Sequence, residues 1–288
     1  MSQNEAKDHT VENKKKVFFG LHARPGKTTV VVLTLVPFII VICFYLIASD
    51  IRLSANPNDK LLPSFGKMLS AIYKAAFVEN ARSGELILWV DTFASLKRIF
   101  IGVGLASLFG LLMGINMGMF KNFKSAFAPF ITVVSMIPPL AILPILFLTL
   151  GIGEVGKIAL ITIGTFPIIT RDIYLSTAKL PVEQTVKALS LGASQYTVVY
   201  RIILPQIMPK LINTIRLTLG SAWLFLIAAE AIASTDGLGY RIFLLRRYLS
   251  MDLIIPYVLW ITLIGFTVDF ILKKFIQINY RWYDNQKG

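Results

Sequence analysis

The sequence predicts an all-α membrane protein with six transmembrane helices, and two observations carry that prediction. Hydrophobic residues make up 55% of the chain, charged residues only 16%, and the mean hydropathy is +0.68, which is too apolar for a soluble domain of 288 residues. The apolar residues also gather in runs of roughly 20, the length that crosses a bilayer as a helix. The six runs are residues 28–48, 99–120, 129–150, 155–170, 212–233 and 252–275.

The basic residues agree with this class. The net charge of +13 would suggest nucleic acid if it formed one patch, but Lys and Arg flank the apolar runs, where they orient membrane proteins. We therefore expect a lipid bilayer and no nucleic acid as partner. Six spans put both termini on one side, and the modest excess of Lys and Arg there makes that side cytoplasmic. The predicted segments are a cytoplasmic tail (1–27), an external loop (49–98) with interfacial helices at 66–77 and 84–95, and a cytoplasmic tail (276–288).

Small residues recur at every fourth position of the second run. This spacing places them along one face of a helix, where a neighbouring backbone can approach closely. A span that is merely flexible is the alternative. The predicted packing stripe consists of Gly102, Ala106, Gly110, Gly114 and Gly118.

Prolines at positions 138, 139 and 144 interrupt the third run. Each removes a helical hydrogen bond, and broken helices near the middle of a bilayer often line a transport pathway. A simple kink for packing is the equal alternative. Residues near this break and polar or aromatic residues of the fifth run are the pathway candidates, with packing as their other reading. They are Ser135, Met136, Pro138, Pro139, Trp223 and Glu230.

The fifth and sixth runs contain charged residues, and a charge inside a span is costly. For Glu230 we favour an ion pair with a nearby arginine over a direct role in a pathway. Arg216 is expected to extend to water at the cytoplasmic end of the fifth run. Asp269 is expected to pair with Lys273, four residues further along the sixth run.

Several kinds of site are not expected in this chain. Residues 151–157 match a phosphate-binding loop up to its lysine, but Ile158 stands where the pattern needs Ser or Thr to bind magnesium. The two histidines, His9 and His22, both lie in the tail, and the only cysteine, Cys43, lies in an apolar run. Acid–base, metal and disulfide chemistry therefore have little to build on. We predict no enzyme activity and no catalytic, cofactor-binding or metal-binding residue.

A polar island, residues 182–211, separates the fourth and fifth runs. Residues 183–191 have the composition of a short surface helix, and Gly192 can take the left-handed conformation that ends one. A second amphipathic piece follows, and Leu204-Pro205 should close it because the residue before a proline is pushed out of the helical region. Two short helices joined by a glycine on the face of a membrane protein form a docking surface. An ordinary solvated loop is the alternative.

The second half of the island has a fixed spacing: Gly192, nine residues, Ile202, one residue, then Leu204-Pro205. This spacing resembles the cytoplasmic loop of permease subunits of bacterial ATP-binding-cassette (ABC) importers. The first half departs from the family pattern, because Val186-Lys187 replace its Glu-Ala and only the next alanine is kept. The resemblance implies that the island couples the permease to its ATPase through Glu183, Ala188, Leu191, Gly192, Ala193, Ile202, Leu204 and Pro205.

Further short stretches are similar to permeases of the nitrate, sulfonate and taurine importers; they are residues 61–64, 95–99, 137–144, 229–230 and 237–240. The resemblance implies a type I ABC importer permease that works as a dimer. Residues 99–275 would form its five-helix core, including a cytoplasmic coupling loop at 171–211. The implied partners are a second permease copy, two cytoplasmic ATPases that bind ATP and Mg, and an external substrate-binding protein.

The predicted function is an alternating-access pathway for a small anion such as nitrate, a sulfonate or taurine, in the inner membrane of a bacterium. The same architecture could import a vitamin precursor or another small organic molecule. An ion-coupled secondary transporter is the alternative from another class. It would need internally related halves and membrane carboxylates at matching positions, and neither is visible in the sequence.

Overall fold

The computed structural model of the chain describes residues 26–57, 59–81 and 83–284. The predicted N-terminal tail up to residue 25 and residues 285–288 of the predicted C-terminal tail lie outside this part. Every regular element in the described ranges is helical. The helices are α1 (Lys27–Ala55), α2 (Phe65–Phe77), α3 (Ile87–Met119), α4 (Lys121–Met136), α5 (Leu143–Leu150), α6 (Glu154–Ala178), α7 (Val182–Ser190), α8 (Gln195–Thr197), α9 (Leu204–Ile232), α10 (Leu238–Arg246), α11 (Met251–Asn279) and α12 (Arg281–Asp284).

Two compact units divide the chain, Met1–Asn58 and Asp59–Gly288. The first unit contains α1, a continuous helix of 29 residues that includes the predicted first span. Most of its apolar side chains are exposed; Phe44, for example, is 75% exposed. Such a surface suits a helix that lipid surrounds, because lipid tails cover apolar side chains as well as protein does.

In the part of the chain that the structure describes, five helices are long and apolar enough to cross a membrane, and a sixth span results if the broken third run counts as one. That run forms α4 and then a 3₁₀ turn, Pro139–Ile142, which leads into α5; the two parts are bent by 83°. The bend falls at Pro138 and Pro139, which cannot donate the hydrogen bonds that a straight helix needs. The predicted interruption of the third run is therefore confirmed.

A separate helix forms at the first of the two segments predicted as interfacial helices, and the prediction for the second segment is wrong. The first is α2. Ser64 caps its N-terminus, because the Ser64 side chain accepts a hydrogen bond from the backbone N–H of Lys67. The second, residues 84–95, is replaced by the beginning of α3, which runs unbroken from Ile87 to Met119. Polar residues in its first turns, such as Asp91, lower the hydropathy there. Their side chains are buried by other helices instead of lying at a membrane surface.

The second helix of the island does not end at Leu204-Pro205, contrary to the prediction. Residues Val198–Ile203 form a π-helix, in which the N–H of Leu204 bonds to the carbonyl of Val199, five residues back. A π turn is wider than an α turn, which makes room for the Pro205 ring where an α-helix would clash with it. The helical path therefore continues from Gln195 to Ile232.

The small-residue stripe of α3 lies against α6. Ala106 is completely buried, and a Cβ added to Gly102, Gly110 or Gly114 would come within 2.8 Å of an isoleucine side chain of α6. A Cβ on Gly118 would come within 2.5 Å of Thr177. These positions leave no space for a side chain, so the two helices approach as closely as the spacing predicts.

The core of the second unit lies where α3, α6 and α9 pack together. One apolar cluster contains Leu160, Leu226 and Tyr257, all fully buried. Another joins Ile173 of α6 to Ile203 of the π-helix. The island is thus fixed to the core through its own apolar side chains.

Candidate coupling site and transport cleft

The first half of the island forms α7 and ends in a Schellman motif. Gly192 has φ +84°, a conformation that strains any residue with a Cβ. Its N–H donates to the Leu189 carbonyl over 2.9 Å, and the N–H of Ala193 donates to the Ala188 carbonyl over 3.1 Å. The chain therefore turns back at the glycine that the sequence indicated.

The predicted coupling residues fall into two groups. Ala188, Ala193, Ile202 and Leu204 are partly buried and pack against the apolar cluster that holds the island on the core. The others are exposed, and Leu191 is exposed over 88% of its surface. The first group positions the island, and the second presents a surface. The exposed group is Glu183, Leu191, Gly192 and Pro205.

The exposed side of the island carries apolar side chains that the sequence reasoning did not select. Val182, Val186 and Leu189 follow one another at helical spacing on α7 and are 68%, 54% and 42% exposed. Leu191 and Tyr196 extend this surface. Large apolar side chains grouped on an exposed face indicate a protein contact. We call these five residues the docking patch. The signal that could have found it is the i, i+4, i+7 spacing, which sequence reasoning assigns by default to a core-facing side.

A side-chain hydrogen bond links α7 to α9. The Gln206 amide nitrogen donates to the Gln184 side-chain oxygen over 3.1 Å and to the Ile202 carbonyl over 3.0 Å. Both ends of this link lie within the island. Together with the apolar anchors, it fixes α7 to the start of α9.

A cleft runs along α6 and α9 and is closed on one side by the break between α4 and α5. Two adjoining hollows form it, with volumes of about 500 and 140 Å³, and both are lined by Ser135, Pro167 and Ile168. The larger hollow has polar lining from Arg171, Asp172, Thr214, Thr218 and Ser221. The smaller is mainly apolar. Polar side chains on spanning helices normally face water or protein.

The end of the second unit away from the island is held by buried charges. Arg98, 2% exposed, donates to Glu230 over 2.7 Å, to Glu154 over 2.7 Å and to Asp236 over 2.5 Å. Glu230 is fully buried and also accepts hydrogen bonds from Ser95 and the backbone N–H of Gly239. The network ties α3, α6 and α9 to the loop before α10.

The family model of the binding-protein-dependent transport system inner membrane component matches residues 106–281. The chain belongs to this family. It is 34% identical over 189 residues to the taurine transport system permease protein TauC of Escherichia coli, covering 66% of this chain and 69% of that protein. It is 29% identical over 184 residues to the nitrate import permease protein NrtB of Synechocystis sp., covering 63% of this chain and 66% of NrtB.

The fold is similar to a chain of the MetNI methionine ABC transporter in an inward-facing conformation. The TM-score is 0.58 at 19% identity, over 66% of this chain and 95% of that chain. At 19% identity, this similarity is evidence for the fold alone. The protein is thus the permease subunit of an ABC importer, with the type I permease fold that the sequence predicts. Its family works with an ATPase and a binding protein.

Four of the six pathway candidates of this permease lie in or beside the cleft. Ser135 lines both hollows, and Pro139 lines the smaller one. Met136, 75% exposed, and Pro138 lie at the break itself, outside the lining of either hollow. The broken third run therefore forms one wall of the cleft.

The other two candidates do not reach the cleft. Trp223 is 8% exposed and belongs to the apolar core, and Glu230 is occupied by the ion network at the far end. Hydropathy shows that a residue lies in a span but not which face it occupies. The expectation that Glu230 pairs with an arginine is right, and the partner is Arg98.

Arg216 and Asp269 pair with each other, which corrects both expectations for them. The Arg216 guanidinium donates to the two carboxylate oxygens of Asp269 over 2.8 and 3.0 Å. This two-point contact between α9 and α11 is stronger than a pairing of Asp269 with Lys273 would be, because the planar guanidinium matches the carboxylate.

The segment that imitates a phosphate-binding loop has another role in the permease. Lys157 is 4% exposed and binds Glu154 over 3.0 Å and the Ser234 hydroxyl over 2.9 Å. Its ammonium is therefore used in the packing of α6 against the loop after α9.

A second buried acid supports the same end of the permease. Asp91 is fully buried and accepts hydrogen bonds from Arg241 over 2.7 Å and from the N–H of Gly237 over 3.0 Å. Burial acts to lower the pKa of Arg241, but the hydrogen bond and charge of Asp91 outweigh it and raise this pKa above its usual value. The pair fixes α10 on the first turns of α3.

Proposed function

We propose that this permease imports a small oxyanion or sulfonate. The support comes from its relatives, whose names give taurine, aliphatic sulfonates and nitrate as the transported solutes. All three carry a compact oxyanion group. A cleft lined by an arginine and several hydroxyls suits such a group, because guanidinium and hydroxyl N–H and O–H groups donate to oxyanions.

The polar island would couple this transport to ATP hydrolysis on separate subunits. The observation that carries this proposal is the docking patch, an exposed apolar surface on helices that are themselves firmly anchored. Two ATPases, which bind ATP and Mg, would each receive one island. This chain would then contribute no nucleotide site of its own.

The pathway would lie between two copies of the permease. The cleft is open on one side in the single chain, and its rim carries exposed apolar residues such as Leu217, at 75%. A second copy would cover that rim and close the cleft into a channel. With the islands in the cytoplasm, both described chain ends fall on the cytoplasmic side, and the far end with Arg98 faces outward.

Movement of the islands would drive alternating access. Closure of the ATPase pair would shift α7, and the Gln184–Gln206 link and the apolar anchors would pass this shift to α9 as a rigid body. The cleft between α6 and α9 would then open alternately to each side of the membrane.

The direct test is ATP-dependent uptake into proteoliposomes that contain the permease, its ATPase and its binding protein. Radiolabelled taurine, an alkanesulfonate and nitrate are offered separately. We expect at least one of them to accumulate about tenfold above a control without ATP, with competition among the anions that share the cleft. Uptake of an uncharged organic solute, with no uptake of any of the three, would show that the substrate class is wrong.

A further inference from the structure

The polar part of the cleft contains a charge that the chain does not neutralise. Each of the spanning helices α3, α6 and α9 carries one arginine. Arg98 and Arg216 bind carboxylates directly. Among the residues that the structure describes, Arg171 has neither an ion pair nor a hydrogen bond to its guanidinium, and it is exposed to the cleft.

The neighbouring acid does not compensate Arg171, because it is already occupied. Asp172 forms an ion pair with Lys210 over 2.9 Å and accepts a hydrogen bond from Thr214. This pairing leaves one positive charge in the larger hollow. It also withholds the only acid of that lining from any cationic group on a substrate.

An unpaired arginine on a spanning helix is costly unless water or a ligand solvates it. The larger hollow is open on one side, so water can reach the Arg171 guanidinium, and its hydroxyl groups can contact a bound ligand. Ser135 and Ser221 donate to carbonyls of their own helices over 2.7 and 2.8 Å, so their hydroxyls are satisfied while the cleft is empty and can rotate toward a ligand. Apart from Thr214 and Thr218, the remaining lining is apolar, and it includes Ile168 and Leu217.

We propose that Arg171 is the residue that receives the oxyanion group of the substrate in the cleft. This inference rests on the proposed import of a small anion and assigns its residue. The planar guanidinium offers two parallel donors to a sulfonate or nitrate. Ser135 and Ser221 add hydroxyl donors, and the apolar wall covers a short hydrocarbon part.

For a transport site, a single exposed arginine is more suitable than a closed pocket that surrounds the ion. A transported ion must bind well enough to enter and weakly enough to leave, which one solvated charge provides. Because Asp172 is held by Lys210, the lining described for the larger hollow offers no free carboxylate to the ammonium group of taurine. The site would therefore treat taurine and a simple alkanesulfonate alike.

The test compares Arg171→Gln and Arg171→Lys with the wild type in proteoliposomes that contain the permease, ATPase and binding protein. The probe is whichever of taurine, an alkanesulfonate or nitrate the wild-type complex accumulates. We expect Arg171→Gln to lower uptake about tenfold or more and Arg171→Lys to keep an intermediate rate, because the lysine keeps the charge but not the two-point contact. ATP hydrolysis stimulated by the loaded binding protein should stay near the wild-type rate.

The matched control is Lys97→Gln, which removes an exposed cation of α3 that lies outside the cleft lining. Its uptake should equal that of the wild type. Normal uptake by Arg171→Gln would overturn the proposal, and so would a parallel loss of ATP hydrolysis, which would place Arg171 in coupling. Failure of the wild type itself to take up any of the three anions would instead count against the proposed function.

An anionic lipid headgroup is the other source of the same chemistry. Uptake is therefore measured in vesicles of phosphatidylcholine alone and in vesicles that also contain phosphatidylglycerol. If the substrate is the ligand, Arg171→Gln lowers uptake to the same extent in both. If wild-type uptake in phosphatidylcholine alone falls to the rate of the variant, Arg171 binds lipid and the proposal is wrong.

Discussion

At the scale of single residues, the close contact between α3 and α6 depends on the absence of side chains on α3. A Cβ on Gly114 would lie 2.8 Å from the Ile173 side chain and 2.9 Å from the Thr170 carbonyl. Neither neighbour can give way, because one is fully buried and the other is backbone. A single methyl group at this position must therefore separate the helices.

We predict that Gly114→Ala lowers the stability of the purified permease by about 1–3 kcal/mol through overpacking. Gly104→Ala on the same helix is the matched control, since a Cβ there meets no atom within 4 Å. It should leave stability unchanged or raise it by about 1 kcal/mol, because alanine favours a helix over glycine. Thermal unfolding in detergent measures both variants. Equal unfolding temperatures for Gly114→Ala and Gly104→Ala would contradict the packing described.

Single residues also show where prediction from sequence ends. The spacing of the stripe predicts a close helix contact because the spacing itself places the residues on one face. The ion pair of Arg98 with Glu230 joins residues 132 positions apart, and no local pattern connects them. For Asp269 the local rule selects Lys273, but the fold brings Arg216 to it instead. Pairing between helices depends on their packing, which one sequence does not specify.

At the scale of elements, helix α7 of the island differs from an ordinary surface helix, because its larger apolar side chains face outward. The apolar residues of α7 at positions 182, 186 and 189 face away from the core, while Ala188 faces it. Helix formation and the glycine turn were predictable because each depends on nearby residues. The continuation of the helix through Leu204-Pro205 was not predictable, since the π-helix that accommodates the proline depends on the packing of Val198 and Ile203 into the core.

We predict that Leu191→Asp weakens association of the permease with its ATPase at least tenfold and abolishes uptake. The leucine is 88% exposed, so the change leaves the fold intact but puts a charge into an apolar contact, which costs about 2–4 kcal/mol when it is buried there. Co-purification of the ATPase with tagged permease measures the effect.

Leu249→Asp provides the control for this prediction. Leu249 is 52% exposed, follows α10 at the far end and has φ +55°, a conformation that aspartate adopts more readily than leucine does. It should retain the ATPase fully. Equal retention of the ATPase by Leu191→Asp and Leu249→Asp would exclude the docking patch as the contact.

At the scale of the whole molecule, the two ends of the second unit are held by different kinds of contact. The end of the unit away from the island is held by ion pairs, where the buried Arg98 contacts three carboxylates. At the island end the anchors are mainly apolar, beside the Gln184–Gln206 hydrogen bond, and a cleft with polar lining lies between α6 and the break in the third run. In the proposed transport cycle, the island end would rock about the end that the ion network holds.

This arrangement predicts that Ser221 changes its accessibility during the transport cycle. In a Cys43→Ser background, Ser221→Cys should react readily with a membrane-impermeant maleimide, because its side chain lines the cleft. Trapping the ATPases closed with vanadate should change the labelling rate at least about threefold, since the cleft then opens to the other side.

Leu259→Cys on α11 is the control for accessibility, because Leu259 is 61% exposed but does not line the cleft. A thiol covered by lipid reacts slowly, since the reactive thiolate needs water. Its labelling should be low and independent of vanadate. If Ser221→Cys and Leu259→Cys reacted at the same rate in both states, the cleft would be a lipid-filled groove and the pathway would lie elsewhere.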